Sequence, residues 1–288
     1  MFPNPSGVSL MTRRGAFTAA LLVLTILVGG RWAMGRQPTE TVAHQALGNH
    51  AAPVSPSPTP TPTPAATPSR APAAPKKPAP TKTTKPGPRS KVGPFGTRRM
   101  TGSRGVALTF DDGPNPSWTP QVLDLLRANK VKATFCVVGT EVRQNPALIK
   151  RIVREGHTLC NHSWHHEFDL GTKAEQEIRA NMISTNREIH RAVPGARVKY
   201  FRHPGGMWTA AAVKVARELG MTSLDWDVDP TDWSKPGAEA IKQRVMSKTR
   251  SGSIILLHDG GGDRAGTVAA CKSLIPALKR KYGITLLR

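Results

Sequence analysis

From Gly105 onward, short apolar or β-branched runs alternate with amphipathic segments, the pattern of βα units that build a parallel sheet. The runs predict seven strands: Val106 to Phe110, Val131 to Val138, His157 to Asn161, Val198 to Phe201, Thr222 to Trp226, Ser253 to His258 and Ile284 to Leu287. Helical periodicity fills the gaps at Thr119 to Asn129, Ala147 to Glu155, Lys173 to Ala192, Thr209 to Leu219, Gly237 to Thr249 and Thr267 to Lys281. Gly156 and Gly220 follow two of these helices, where a left-handed C-terminal cap is expected. The α/β pattern points to a distorted (β/α) barrel of about seven parallel strands, or to a wide open sheet. Right-handed crossovers then bring the C-terminal ends of the strands to one face. Asp111 and Asp112, His162, Arg202, Asp229 and Asp232, and His258 all fall at such ends.

Composition sets the boundaries of this unit. Fourteen of the 26 prolines lie between Pro53 and Pro94, and a Pro/Thr/Ala/Lys segment cannot bury enough apolar surface to offset its ordering entropy. The chain divides into an export signal or membrane anchor over 1–36, a disordered linker over 37–103 and a folded domain over 104–288. Of the net charge of +22, these carry +4, +8 and +10. Arg13 and Arg14 precede the uncharged stretch 15–30, which is short against the roughly 17 to 20 apolar residues of a spanning helix. Cleavage and an uncleaved anchor both remain open, and either puts the domain outside the cytoplasm, secreted or wall-associated. The SPSPTPTPTP run from Ser55 to Pro64 predicts a stiff spacer of about 3 Å per residue. No compact basic block interleaved with aromatics occurs, so nucleic acid is not an expected partner, and a monomer is expected. Cys136, Cys160 and Cys271 are odd in number; Cys136 and Cys160 sit in apolar runs and read as buried small hydrophobes.

Two constellations carry chemistry. Adjacent carboxylates at Asp111 and Asp112 raise one another's pKa unless a cation intervenes, although Asp-Gly-Pro is also ordinary turn chemistry. In His162-Ser163-Trp164-His165-His166, two imidazoles four positions apart would face one way on a helical turn and can bind one ion; the alternative is a polar loop with surface histidines. Two histidines and one carboxylate leave a coordination position open for water, as catalytic zinc sites do.

With Arg202-His203-Pro204-Gly205-Gly206, Asp229-Pro230-Thr231-Asp232-Trp233 and Leu256-Leu257-His258, these motifs make an ordered set of five. The set resembles the polysaccharide deacetylases of the NodB-homology type, carbohydrate esterase family 4, over residues 104–288. The resemblance implies Asp111 as general base and Asp112, His162 and His166 as ligands of one divalent ion, usually zinc, with cobalt or nickel as alternatives. It further implies His258 as general acid, Arg202 holding the base, and Asp229 orienting and charging the acid histidine, with Asp232 able to share that work. Ser163 is a candidate support for a ligand. Trp208 and Trp233 are candidate groove aromatics or core residues. The third motif of the family usually has an aromatic after its proline, where this chain has Gly205; its backbone N–H remains to stabilise an oxyanion, and Trp208 is a candidate to fill the missing wall. The implied reaction is hydrolysis of acetamido groups of N-acetylglucosamine residues in peptidoglycan or chitin-like oligomers. An acetyl xylan O-esterase and a non-catalytic wall-binding module are the alternatives.

Overall fold

The computed structural model describes residues 90–288. The expected export or anchor segment, and the linker up to residue 89, lie outside the described residues. Among the described residues, no helix is long and apolar enough to cross a membrane.

Six parallel strands form one sheet: β1 (Ala107–Asp111), β2 (Thr134–Val137), β3 (Thr158–Asn161), β4 (Val198–Phe201), β5 (Thr222–Ser223) and β6 (Ile254–His258). Their spatial order is β5-β4-β3-β2-β1-β6, so the chain winds out in one direction and the last strand returns to the far side of the first. The gap between β5 and β6 is spanned by irregular backbone. Arg98 bridges to Leu224, Met100 to Ser253, and Val228 to Ile255. The result is a distorted, partly closed barrel.

Two features depart from the sequence reading. The seventh expected strand reduces to a single bridge between Ile284 and Val106, after which Leu287 turns in to plug the barrel floor. The fifth strand stops at Ser223, because the Asp225 N–H donates to the Arg98 carbonyl. The linker expected over 37–103 takes in Arg98 and Met100, yet both are bridge partners of the barrel. Their sequence carries no period of two, since they pair one residue at a time.

Among the described residues, seven α-helices cover the sheet: α1 (Thr119–Ala128), α2 (Gly139–Gln144), α3 (Pro146–Arg154), α4 (Glu175–Ala192), α5 (Ala210–Glu218), α6 (Ala238–Lys248) and α7 (Ala265–Tyr282). Six match the expected helices to within a few residues. The six-residue α2 is too short to show a periodic stripe. The apolar faces of the others are buried at helical spacing: Val122, Leu123 and Leu126 on α1, Ile149 and Ile152 on α3, and Leu274, Ile275 and Leu278 on α7. Thr209 caps α5 by accepting the Ala212 N–H.

Alternation along the strands determines what faces the barrel interior. Leu108 and Phe110 point to the helices, whereas Ala107, Cys136, Cys160, Tyr200 and Ile254 form the inner cluster. Counting on by two along each strand from that cluster reaches Asp111, His162, Arg202 and His258. The same periodicity that turns the inner cluster toward the barrel interior aims these four at its mouth.

Candidate active site

Asp111 and His258 end β1 and β6 and are register partners across that strand pair. Arg202, just past β4, is fully buried. Its guanidinium donates to Asp111 Oδ1 at 2.7 Å, to Thr109 Oγ1 at 2.8 Å, and to the carbonyls of Leu224 and Asp225 at 3.0 and 3.2 Å. A buried carboxylate held by a multiply bonded guanidinium is kept in one orientation. Its second oxygen, Oδ2, lies 3.6 Å from His162 Nε2.

Asp112 turns away from its neighbour because its φ is +71°. Its Oδ1 lies 3.4 Å from His162 Nε2 and 3.2 Å from His166 Nε2. Ligand bonds of about 2.0–2.1 Å around a tetrahedral ion imply ligand-to-ligand edges of about 3.3–3.4 Å, so these separations suit one cation. Two further observations agree. Asp112 Oδ1 is buried with no hydrogen-bond partner, and the three candidate ligand atoms lie within 4.8 Å of one another. His162 Nδ1 lies 2.8 Å from the Arg202 carbonyl; donating there leaves the Nε2 lone pair for an ion. Burial pushes the Asp112 carboxyl up, but His162 against it, with His258 and His166 nearby, brings it well below the usual carboxylate range. Burial, reinforced by His162, pushes His166 down toward its neutral form, the form that ligates.

The two histidines do not share a helical turn, as their spacing suggested. They lie on a loop in which Ser163 and His166 both have positive φ, 66° and 62°. Asn161 Oδ1 accepts the Ser163 N–H, and the Ser163 hydroxyl accepts the Glu167 N–H at 3.2 Å. Ser163 thus shapes the loop that carries both imidazoles.

The partner of His258 is Asp232. Asp232 Oδ1 lies 2.7 Å from His258 Nδ1, while its Oδ2 accepts the His258 N–H and the Thr267 hydroxyl. Asp229, expected in this place, instead accepts the Thr231 N–H at 2.6 Å and lines the cavity. The reason is local. Left-handed Thr231 turns the chain into a short 3-10 segment, Asp232–Ser234, which drives Asp232 inward until it is buried. Burial pushes the His258 imidazole down, but the Asp232 hydrogen bond and charge, with Asp112 and Asp111 beyond, raise it to about 9.

Asp111, Asp112, His162, His166, Asp229 and His258 open onto one cavity of about 590 Å³, also lined by Gly205 and Trp233, while Arg202 and Asp232 stand behind it. Trp233 is 52% exposed there. Trp208 is 7% exposed, packs with Phe201 in a core cluster, and does not fill the wall beside Gly205. Phe168 occupies that place.

Cys136 and Cys160 form a disulfide across the β2–β3 pair, where they are register partners, and only Cys271 is free. Reading them as buried small hydrophobes identifies their burial and does not specify the bond. The strand period, which points both inward at one level, was the available signal. Three more residues had not been singled out. Asp259 is buried, accepts the Thr119 hydroxyl at 2.5 Å, and is pushed by burial up to about 7. Arg264 donates to the carbonyls of Gly260 and Gly261. Phe168 stands two residues past the histidine loop's second ligand candidate.

Residues 98–224 match the polysaccharide deacetylase family. A chitooligosaccharide deacetylase of Sinorhizobium fredii is 42% identical over 191 residues, covering 63% of this chain and 88% of that protein. The chain belongs to the polysaccharide deacetylase family. Among solved structures of the family, the Bc1960 peptidoglycan N-acetylglucosamine deacetylase in complex with 4-naphthalen-1-yl-N-oxidanyl-benzamide is 36% identical, with a TM-score of 0.61 over 64% of this chain and 86% of that one. BA3943 from Bacillus anthracis, described as a pseudoenzyme of carbohydrate esterase family 4, is 31% identical, with a TM-score of 0.60 over 65% of this chain and 66% of that one. Family membership therefore establishes the fold, and activity has to be argued from the site.

Proposed function

We propose that this polysaccharide deacetylase is a metal-dependent hydrolase that removes acetyl groups from N-acetylglucosamine residues of peptidoglycan or chitin-like oligosaccharides. One observation carries the reading: the ion-sized cluster of Asp112, His162 and His166 opens onto the same cavity as Asp111, held by Arg202, and His258, held by Asp232. A glycan-binding module requires neither of the last two pairs.

A divalent ion held by Asp112, His162 and His166 would supply a polarised carbonyl and a more acidic water. Asp111 Oδ2 takes the proton of the attacking water, because Arg202 occupies Oδ1 and leaves the other oxygen toward the cluster. The Gly205 N–H, on a left-handed turn at the cavity wall, donates to the oxyanion. His258 protonates the leaving nitrogen through Nε2, since Nδ1 faces Asp232. Amide nitrogen leaves poorly until it is protonated, so a charged acid is required, and Asp232 keeps His258 charged at neutral pH. The products are acetate and an amino sugar.

The Cys136–Cys160 disulfide supports placement in an oxidising compartment, in keeping with an export segment in 1–36 and a wall-spanning linker. Export and the linker favour peptidoglycan. Acetate and free-amine release from N-acetylglucosamine oligomers, peptidoglycan and acetylated xylan tests the reading. Release from the first two, lost on chelation and regained with zinc or cobalt, is expected. Acetate from xylan alone would make the protein an O-acetyl esterase, and binding without any release a non-catalytic module.

A further inference from the structure

Phe168 stands out among the groups around the cavity. It is a large apolar side chain, 60% exposed, on the loop that carries the two histidines, and it lines the cavity wall beside Gly205 and His166. A single exposed aromatic on an open surface calls for no explanation. This one is fixed from two sides. Its ring meets the His166 imidazole edge to face, with centroids 4.8 Å apart and planes at 83°. On its other side it lies over Gly205, so closely that a Cβ at that position would come within 2.7 Å of Phe168 Cδ1 and Cε1. The missing side chain at 205 is therefore the space the ring occupies. The wall that the third motif does not supply comes from a different loop.

We propose that Phe168 is a substrate-contacting residue whose ring forms the wall on which the apolar C–H face of the N-acetylated pyranose rests during deacetylation. Trp233 is the other strongly exposed aromatic of the same cavity. A pyranose has an apolar face and a polar rim. An aromatic ring beside acid, base and ligand groups can take the face while the polar groups take the acetamide and hydroxyls. Contact there also displaces water from the space above His166 and Gly205.

This proposal rests on the glycan reading above, and the test separates the two. Binding of the N-acetylglucosamine pentamer to the zinc-loaded full-length Asp111→Asn protein is measured by calorimetry, with Phe168 intact and with Phe168→Ala, Phe168→Leu and Phe168→Tyr added. Both Ala and Leu are expected to raise Kd about three- to tenfold, the scale of one lost aromatic contact, while Tyr stays within about twofold. The Leu variant keeps an apolar group against Gly205 and His166, so that a loss of folding in the Ala variant does not decide the outcome. Parent affinity in the Leu variant overturns the proposal. In the Asp111-intact background, the same substitutions should raise KM more than they lower kcat; an equal loss in kcat with KM unchanged also overturns it. If the protein with Phe168 intact fails to bind the pentamer, the glycan reading fails and this proposal with it.

Discussion

Asp111 and His258 sit side by side in register at the ends of β1 and β6, each with a dedicated partner of opposite charge, Arg202 on one side and Asp232 on the other. Two groups on adjacent strands are thereby held in different surroundings by what lies beyond each. The guanidinium holds one oxygen of Asp111 and leaves the other toward His162. The carboxylate favours an imidazolium at 258 that can give a proton. Under the proposed function, this arrangement gives one site its base and its acid.

Replacing Asp111 with Asn removes the proton acceptor and keeps the shape. Acetate release from N-acetylglucosamine oligomers should fall about 10²- to 10⁴-fold, with oligosaccharide and metal binding retained. Arg202→Lys should also be damaging, because an ammonium cannot reach Asp111, Thr109 and two carbonyls as one planar fork. Steady-state kinetics with calorimetric binding separates loss of chemistry from loss of substrate.

Asp232→Asn tests the acid. Under the proposed function His258 acts only when protonated, so activity should decline as pH rises through about 9. Without the Asp232 charge, burial favours neutral imidazole and the alkaline limb should move down by two units or more, whereas Asp229→Asn should leave it in place. Stability should follow the same group. The pKa of His258 in the fold lies above its ordinary 6.5, so its contribution is complete below about pH 6.5 and is lost as pH rises through about 9. The melting-temperature gap between wild type and Asp232→Asn should narrow at alkaline pH.

Period two in the apolar runs and the strand-end position of polar residues made the sheet, its C-terminal face and Asp111, Asp112, His162, Asp229 and His258 legible in advance; the histidine spacing added His166, and the family resemblance added Gly205 and Trp233. Information carried by turns rather than by periods was not legible. Asp232 replaces Asp229 beside His258 because one residue, Thr231, adopts a left-handed conformation. The histidine pair converges through two more such residues and not through a helix. Arg98 and Met100 close the barrel through single bridges that leave no pattern. Phe168 reaches the cavity only because Gly205, distant in sequence, leaves room for it.

Metal binding should be measurable apart from turnover. The unpartnered, buried Asp112 Oδ1 is a liability in the fold until a cation meets it. Adding zinc to chelated protein should raise the melting temperature, by about 2.7 kcal/mol of stability at one hundred times Kd. Asp112→Ala, His162→Ala and His166→Ala should each abolish that response while the far-ultraviolet circular dichroism spectrum is retained.

The disulfide closes a loop of 24 residues in sequence between two neighbouring strands. On chain-entropy grounds its removal should cost about 3.5 kcal/mol. Cys136→Ser with Cys160→Ser, compared with wild type by urea unfolding, should show this loss. Metal affinity should change little, because the bond lies among the inner residues of the strands and not among the ligands. A protein equally stable with and without the bond would mean that the β2–β3 ladder alone holds these strands together.

Gly261 provides a test of how the metal cluster is held from behind. The loop after His258 runs so close to Asp112 that a Cβ at Gly261 would fall on the Asp112 carboxylate, and Gly261 has a φ of +67°. Arg264 holds this loop by donating to the carbonyls of Gly260 and Gly261 at 2.6 and 2.9 Å, and reaches the Trp233 carbonyl at 3.4 Å. One buried guanidinium therefore links the segment after His258 to the turn that bears Asp232. Gly261→Ala adds a methyl where the carboxylate stands and strains the backbone. It should weaken zinc binding more than it lowers stability, with the carboxylate pushed out of line with the two imidazoles. Arg264→Met should leave Asp112 unobstructed but release the loop, so its effect should appear in kcat and in the His258 limb of the pH profile with zinc affinity nearly unchanged. Equal effects of the two substitutions on zinc affinity would show that the loop acts on the cluster as a whole and not through the Asp112 contact.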